Sequence, residues 1–464
     1  MLRRIGSTYW IVFLLIFSAV VSILLGGYSS LDRAEQAERE GSYALAAESF
    51  AHAARFLPWR RDLFERAGIN GAQAGDFSAA VGYFEKGDDF SEQGWIWYCT
   101  SHIQLGNLSA AAPICNKGAE RHESAGLYSL LAFIYREEKD WEAERLALEN
   151  QTRLDSSDAY AAYRLGMLSM LLSPDDALPE LTRASTLNPE VDSAVQTLRA
   201  ALAVSSQQND PSMQRVIIGQ AFGLVQDWEL ATAAFEEAIR LNDINAEAWA
   251  WLGEAKQQTG QDGSAELDRA LSLDRNSVSI RALRGLYWSR KGKYEQMLAE
   301  YLLAAGIEPE NPRWRAGVGE AYARLGDLVL ALESYQRAVE LEPNSAEYLR
   351  LLAVFCAENT IQVEEIGLPA AQQAFALAPT DPVVLDTLGY VYLSTGRFAN
   401  AELVLKQAID LAPEFYSAHI HLALTYLAQG NRAAAFNLLT FVRDAQNPGG
   451  YADAARQLLD KYFR

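Results

Sequence analysis

Basic charge is scarce in this chain: 60 Asp and Glu stand against 40 Lys and Arg, a net charge of −20 over 464 residues. A surface of that sign repels a phosphate backbone, so nucleic-acid binding is discounted. The acids are dispersed rather than gathered in one block, which makes them a solvated surface and not an acidic tail. Cysteine is sparse too. Only Cys99, Cys115 and Cys356 are present, and with none before Cys99 a lipid-modified N-terminal cysteine is excluded. Also missing are an HExxH zinc pair, a GxxxxGK phosphate loop, a GxGxxG turn, a GxSxG elbow and a CxxC pair. Neighbouring carboxylates such as Glu236 with Glu237 and Glu364 with Glu365 read as solvated helix faces. The expectation is a chain that is not an enzyme and uses no cofactor.

Charge is absent altogether between Arg4 and Asp32, where Tyr9 to Leu25 reads YWIVFLLIFSAVVSILL. With its flanking Gly and Ser residues this run approaches the roughly 20 residues a helix needs to cross a bilayer. Tyr9 and Trp10 stand where an interfacial aromatic belt would be, and Arg3 and Arg4 favour a cytoplasmic N-terminal tail. Residues 1–29 are therefore assigned to a tail and membrane helix. The chain is then held in the membrane through residues 9–27, with its remainder outside the cytoplasm. A signal peptide cleaved after the small residues around Gly27 and Ser29 is the alternative.

What dominates the rest is repetition. GSYALAAESFAHAARFLP from Gly41 recurs as GDFSAAVGYFEKG from Gly75, GNLSAAAPICNKG from Gly106, GDLVLALESYQRAVELEP from Gly326 and GRFANAELVLKQAIDLAP from Gly396. Gly41 to Gly75 is a step of 34 residues, as is Gly396 to Gly430. The half preceding each glycine recurs as well, in WAWLGEAKQQTG, VGEAYARLG, LDTLGYVYLSTG and IHLALTYLAQG. The glycines fit helix ends, where a left-handed backbone is needed, and Asp76, Asn107, Asp227 and Asp327 fit N-caps of the next helix. Asn311-Pro312 and Asp381-Pro382 read as a cap followed by a first-turn proline. Small residues at Gly253, Gly285, Ala80 and Ala331 leave room between two helices that Phe50, Phe84, Phe235, Tyr301 and Tyr335 fill.

Through Gly319, Tyr322, Ala331, Tyr335 and Pro343, and again through Leu388, Gly389, Tyr392, Ala401, Leu405 and Pro413, the unit resembles the tetratricopeptide repeat. The resemblance implies an all-α, right-handed superhelical solenoid of about twelve helical hairpins over residues 30–448, closed by a capping helix at 449–464. Local departures are the polar SSQQND at Ser205 to Asp210, a unit about two residues short after Gly260, and an irregular stretch from Cys356 to Pro369. These are candidate hinges or modified grooves, or simple degeneration of the repeat.

Cys99, His102 and Cys115 fall on core positions of one repeat and should converge between its helices. A packed core, a disulfide between Cys99 and Cys115, and a metal site completed by His122 are the three readings of that cluster. The resemblance further implies a concave groove lined by first helices that accepts other proteins, with Trp97, Phe133, Trp251, Glu254, Arg313, Glu320, Tyr390 and His421 as groove candidates. The family's carboxylate clamp for chaperone tails is not expected, because the equivalent positions are Ala250, Glu254, Leu283, Arg313 and Gly317, of which Arg313 alone fits. The functional expectation is a membrane-anchored scaffold of an envelope or secretion complex. An accessory protein of polysaccharide synthesis or export, with Trp97, Trp251 and Tyr390 as sugar platforms, is the alternative.

Overall fold

The computed structural model describes residues 2–446 and 448–463, with side chains from Trp10 onward. The expectations placed on Arg3, Arg4 and Tyr9 concern side chains outside the described residues. Among the described residues all regular structure is helical and there is no strand. The chain divides into two compact units, residues 1–237 and 238–464.

In the first unit consecutive helices pair as Leu2–Arg39 with Tyr43–Phe56, Asp62–Gln73 with Phe77–Phe84, and Glu92–Gln104 with Leu108–His122. Ala125–Glu138 with Trp141–Leu154 and Ala159–Leu172 with Ala177–Leu187 come next. Asp192–Ser205 then lies against Pro211–Leu224 as an additional helix, ahead of the polar link the sequence marks as irregular. In the second unit the pairs run from Ala246–Gln258 with Ser264–Leu273 to Tyr416–Ala428 with Arg432–Asp444, and Tyr451–Phe463 closes the end. Ala452, Ala455 and Leu459 form the buried face of that last helix, while Tyr451 at its start is exposed.

The turns behave as their residues dictate. Gly326 and Gly396 end first helices at φ +83° and +73°, in the left-handed region that side chains disfavour. Asp76, Asp227 and Asp327 each accept a hydrogen bond from the backbone N–H three residues on, at 2.9, 2.9 and 3.2 Å. Asn107 occupies the same place without a side-chain cap bond. Asn311 and Asp381 accept from the N–H of Arg313 and Val383, each followed by its first-turn proline. Lys139, like Gln226 at φ +65°, holds a turn conformation that most repeats give to glycine, at φ +59° on an exposed residue. Lys139→Gly should therefore stabilise the hairpin around it by about 0.5 to 1 kcal/mol, read as slower amide exchange in 125–154.

Helix pairs close on one recurring contact. A Cβ added at Gly68 would meet Phe84, at Gly219 Phe235, at Gly285 Tyr301, at Gly319 Tyr335 and at Gly389 Leu405, all between 2.4 and 3.0 Å. Each pair is sixteen positions apart: a first-helix glycine makes the space that a second-helix ring or leucine fills. Burial pushes the Tyr301 phenol up to about 12, with the nearby Glu320 carboxylate adding to the effect. No hairpin encloses its own apolar face, so stability depends on the neighbouring pair.

Candidate functional site: the first-helix surface

The groove candidates all lie on first helices. In the second unit Pro382–Ser394 and Tyr416–Ala428 are successive first helices in contact. They stack the rings of Tyr390 and His421 at 4.5 Å between centroids, 14° from parallel. Behind the pair Asp386, almost wholly buried, stands 2.7 Å from His421 Nδ1 and accepts from Ser417 Oγ at 2.7 Å. A buried carboxylate requires such partners, and here they fix the imidazole's tilt, with Tyr390 and His421 both half-buried. Asp386 and Ser417 were not among the sequence candidates; the one signal was a carboxylate inside the apolar run PVVLDTLGYVYL.

The other candidates differ in access. Arg313 and Phe133 are exposed, while Trp97, Trp251, Glu320 and Tyr390 are half-buried. Glu320 has Arg324 3.8 Å away. Glu254, by contrast, is buried: Arg290 grips both its oxygens at 2.6 and 2.7 Å and Gln258 donates at 2.8 Å. It ties successive first helices together instead of offering a free charge, because a carboxylate at that depth is held only with a guanidinium across it.

Cys99 and Cys115 are fully buried, their Cα atoms 5.5 Å apart and their sulfurs in contact. They too are sixteen residues apart, the spacing of the glycine and ring contact, so the sulfur pair occupies the space that other repeats fill with a side chain. The Cα separation suits a disulfide. His102 lies one turn along, packed on Tyr98 at 5.3 Å, and its burial lowers its pKa. His122 is engaged by the Phe90 carbonyl at 2.9 Å. Among the described residues no three His, Cys, Asp or Glu side chains group as metal ligands. Cys356 is buried as a thiol whose pKa burial pushes up to about 11. In the oxidised protein, denaturation without reductant should expose one alkylatable thiol, Cys356, and reductant should add the mass of two hydrogens. Three alkylated cysteines before reduction would assign Cys99 and Cys115 to a packed, unbonded core.

Where the sequence departs from the repeat at Ser205 to Asp210, the additional helix opens a cavity of about 520 Å³ lined by Leu178, Arg199, Leu202, Ser205, Gln214 and Arg215 among others. Arg215 reaches the Met170 carbonyl at 3.4 Å, and burial lowers its pKa. With Asp175 also in the lining, two guanidinia and one carboxylate leave this cavity net positive on an acidic chain.

Residues 293–346 and 387–440 match the family profile of the tetratricopeptide repeat. The chain is 24% identical over 342 residues to tetratricopeptide repeat protein 37 of Xenopus laevis, covering 69% of this chain and 20% of that protein. It is 22% identical over 312 residues to the BBSome complex member BBS4 of Bos taurus, covering 67% of this chain and 56% of that one. Among solved structures, yeast Tom70 matches with 16% identity and a TM-score of 0.42, over 94% of this chain and 96% of the other. The chain thus spans between a fifth and somewhat over half of these two curated relatives.

Proposed function

The chain is a tetratricopeptide-repeat protein, and from that premise we propose that it is a membrane-anchored scaffold which holds proteins of an envelope or secretion complex on the extracytoplasmic side. Tetratricopeptide repeats serve protein–protein interaction, and the proposal gives the chain no reaction of its own. The observation that carries it is the ordered surface of Tyr390, His421 and Asp386 on two successive first helices. A stacked aromatic pair with a fixed polar edge is the kind of rigid anchor on which binding energy concentrates.

The anchor half of the proposal rests on the N-terminal helix, long and apolar enough to cross a bilayer, as a signal sequence would also be. Between Trp10 and Leu25 its large apolar side chains other than Val21 and Leu24 stand exposed in the isolated chain, an arrangement suited to lipid rather than water. Protease accessibility in intact cells tests the side. Digestion of the repeats only after the membrane is opened from within would reverse it.

Partner capture is tested on native membranes. Crosslinking should recover a stoichiometric protein partner, and Tyr390→Ala with His421→Ala should reduce its yield about tenfold or more while leaving the helix content unchanged. No partner, or a partner indifferent to both changes, would overturn the assignment of this surface.

A further inference from the structure

The helix that opens the chain runs without interruption from Leu2 to Arg39, so the apolar segment and the first-repeat helix are one rod. Ile5 to Leu25 is free of charge. At 1.5 Å per residue this segment matches the roughly 30 Å hydrocarbon thickness and ends near Leu25. The side chains change partner there. Leu25 is 65% exposed, but Leu24 already packs against the first-hairpin core, and Gly27 and Leu31 are buried.

The link after Tyr43–Phe56 covers them, and the fit is close. A Cβ on Gly27 would stand 3.0 Å from Leu57 Cδ2 and Cγ and from Phe56 Cβ. Leu57 is fully buried by this contact and its neighbours, which sets the link beside helix positions 24–28, the level at which the rod leaves the hydrocarbon. The rest of the link does not turn inward. Pro58 and Arg61 are exposed, Trp59 is 56% exposed, and Tyr28 on the rod beside them is 48% exposed. Arg60 is held by Asp62 at 2.7 and 2.8 Å, and Arg61 has no carboxylate within ion-pair distance among the described residues. Two exposed aromatic rings and a free guanidinium, gathered at the exit of an apolar rod on a strongly acidic chain, have the composition of a bilayer interface.

We infer that the link 57–61 is a lipid-binding foot. Trp59 and Tyr28 lie at the glycerol and headgroup level of the leaflet from which the rod emerges, and Arg61 lies against a lipid phosphate. The first hairpin is thereby seated on the membrane and the rod's tilt is fixed by a second contact. This inference rests on the anchor reading, and it goes beyond it by naming a lipid contact outside the spanning segment.

The full chain, reconstituted into vesicles of phosphatidylcholine and phosphatidylglycerol, tests both. Resistance to an alkaline carbonate wash reports the anchor. Lipids brominated near the headgroup or near the chain end then report depth, with the Trp59 contribution isolated by subtracting the Trp59→Phe variant. The expected result is a Trp59 component quenched about twofold or more by shallow bromines and little by deep ones, with Arg61→Glu reducing that quenching. A washed-in chain whose Trp59 component is untouched by either lipid and open to acrylamide would overturn the foot and leave the anchor standing. A chain that washes off would overturn both.

Discussion

Gly263→Ala should destabilise its hairpin by about 3 kcal/mol or more, a large effect for one added methyl group. The Cβ would lie 1.9 Å from the Gly253 carbonyl oxygen and 2.7 Å from its carbonyl carbon. These are backbone atoms of the facing helix, so no rotamer change makes room, and the pair Ala246–Gln258 and Ser264–Leu273 has to part. Gly263 has φ −95°, an ordinary value for any residue, so the penalty is steric and owes nothing to backbone strain. The cause is legible in the chain's spacing. This unit is short after Gly260, its second helix runs ten residues where Leu328–Leu341 runs fourteen, and Gly253 meets Leu267 fourteen positions on instead of sixteen. The shorter link draws the helices together until only glycine fits on either side. Amide exchange across 246–273 should accelerate to match, while Gly82→Ala, on a helix where the new Cβ meets nothing within 4 Å, should be neutral or stabilise by about 0.5 to 1 kcal/mol. Equal stability for Gly263→Ala and the parent would mean that the two helices do not approach as described.

That pair of outcomes also shows what the sequence could and could not convey. Hairpin identity was legible because most turns announce themselves locally, by a glycine at positive φ, an aspartate cap or a proline in the next first turn. The fill between helices was legible for the same reason, since the glycine and ring recur at one spacing. Side-chain access was not. Glu254 sits at a repeat position expected to face a groove, yet Arg290 of the next first helix, 36 residues on, claims it. No single repeat contains that information. Asp386 was overlooked for the converse reason, because an acid amid apolar residues has no local rationale until Ser417 and His421 of the following repeat arrive beside it. Repeat period thus predicts the scaffold, and the surface depends on pairings between repeats that the period does not encode.

The strongest of those pairings leads to the second large effect, at Arg164. Its guanidinium donates to both oxygens of Glu144 at 2.7 and 3.0 Å and to Asp227 at 2.6 Å, with Arg164 3% and Glu144 1% exposed. Burial alone would lower its pKa, but the bond to Glu144 and the charges of Glu144 and Asp227 raise it instead. Asp227 uses its other oxygen to cap the next helix, accepting from Leu230 N–H at 2.9 Å. One cation thus braces three segments of the first unit: Trp141–Leu154, Ala159–Leu172, and the turn before Trp228–Leu241. It does so across Ala177–Leu187 and Asp192–Ser205, the stretch where the repeat is irregular and the cavity opens. Arg164→Met should cost about 3 to 5 kcal/mol, because it strands Glu144 as a buried charge without a partner. Most of that loss should return in Arg164→Met with Glu144→Gln, which removes the stranded charge at nearly the same volume. A full double-mutant cycle by denaturant melting, with amide exchange followed over 141–237, separates the two contributions. If the single and double variants are equally unstable, packing around the guanidinium and not its charge holds this stretch, and the brace is mechanical rather than electrostatic.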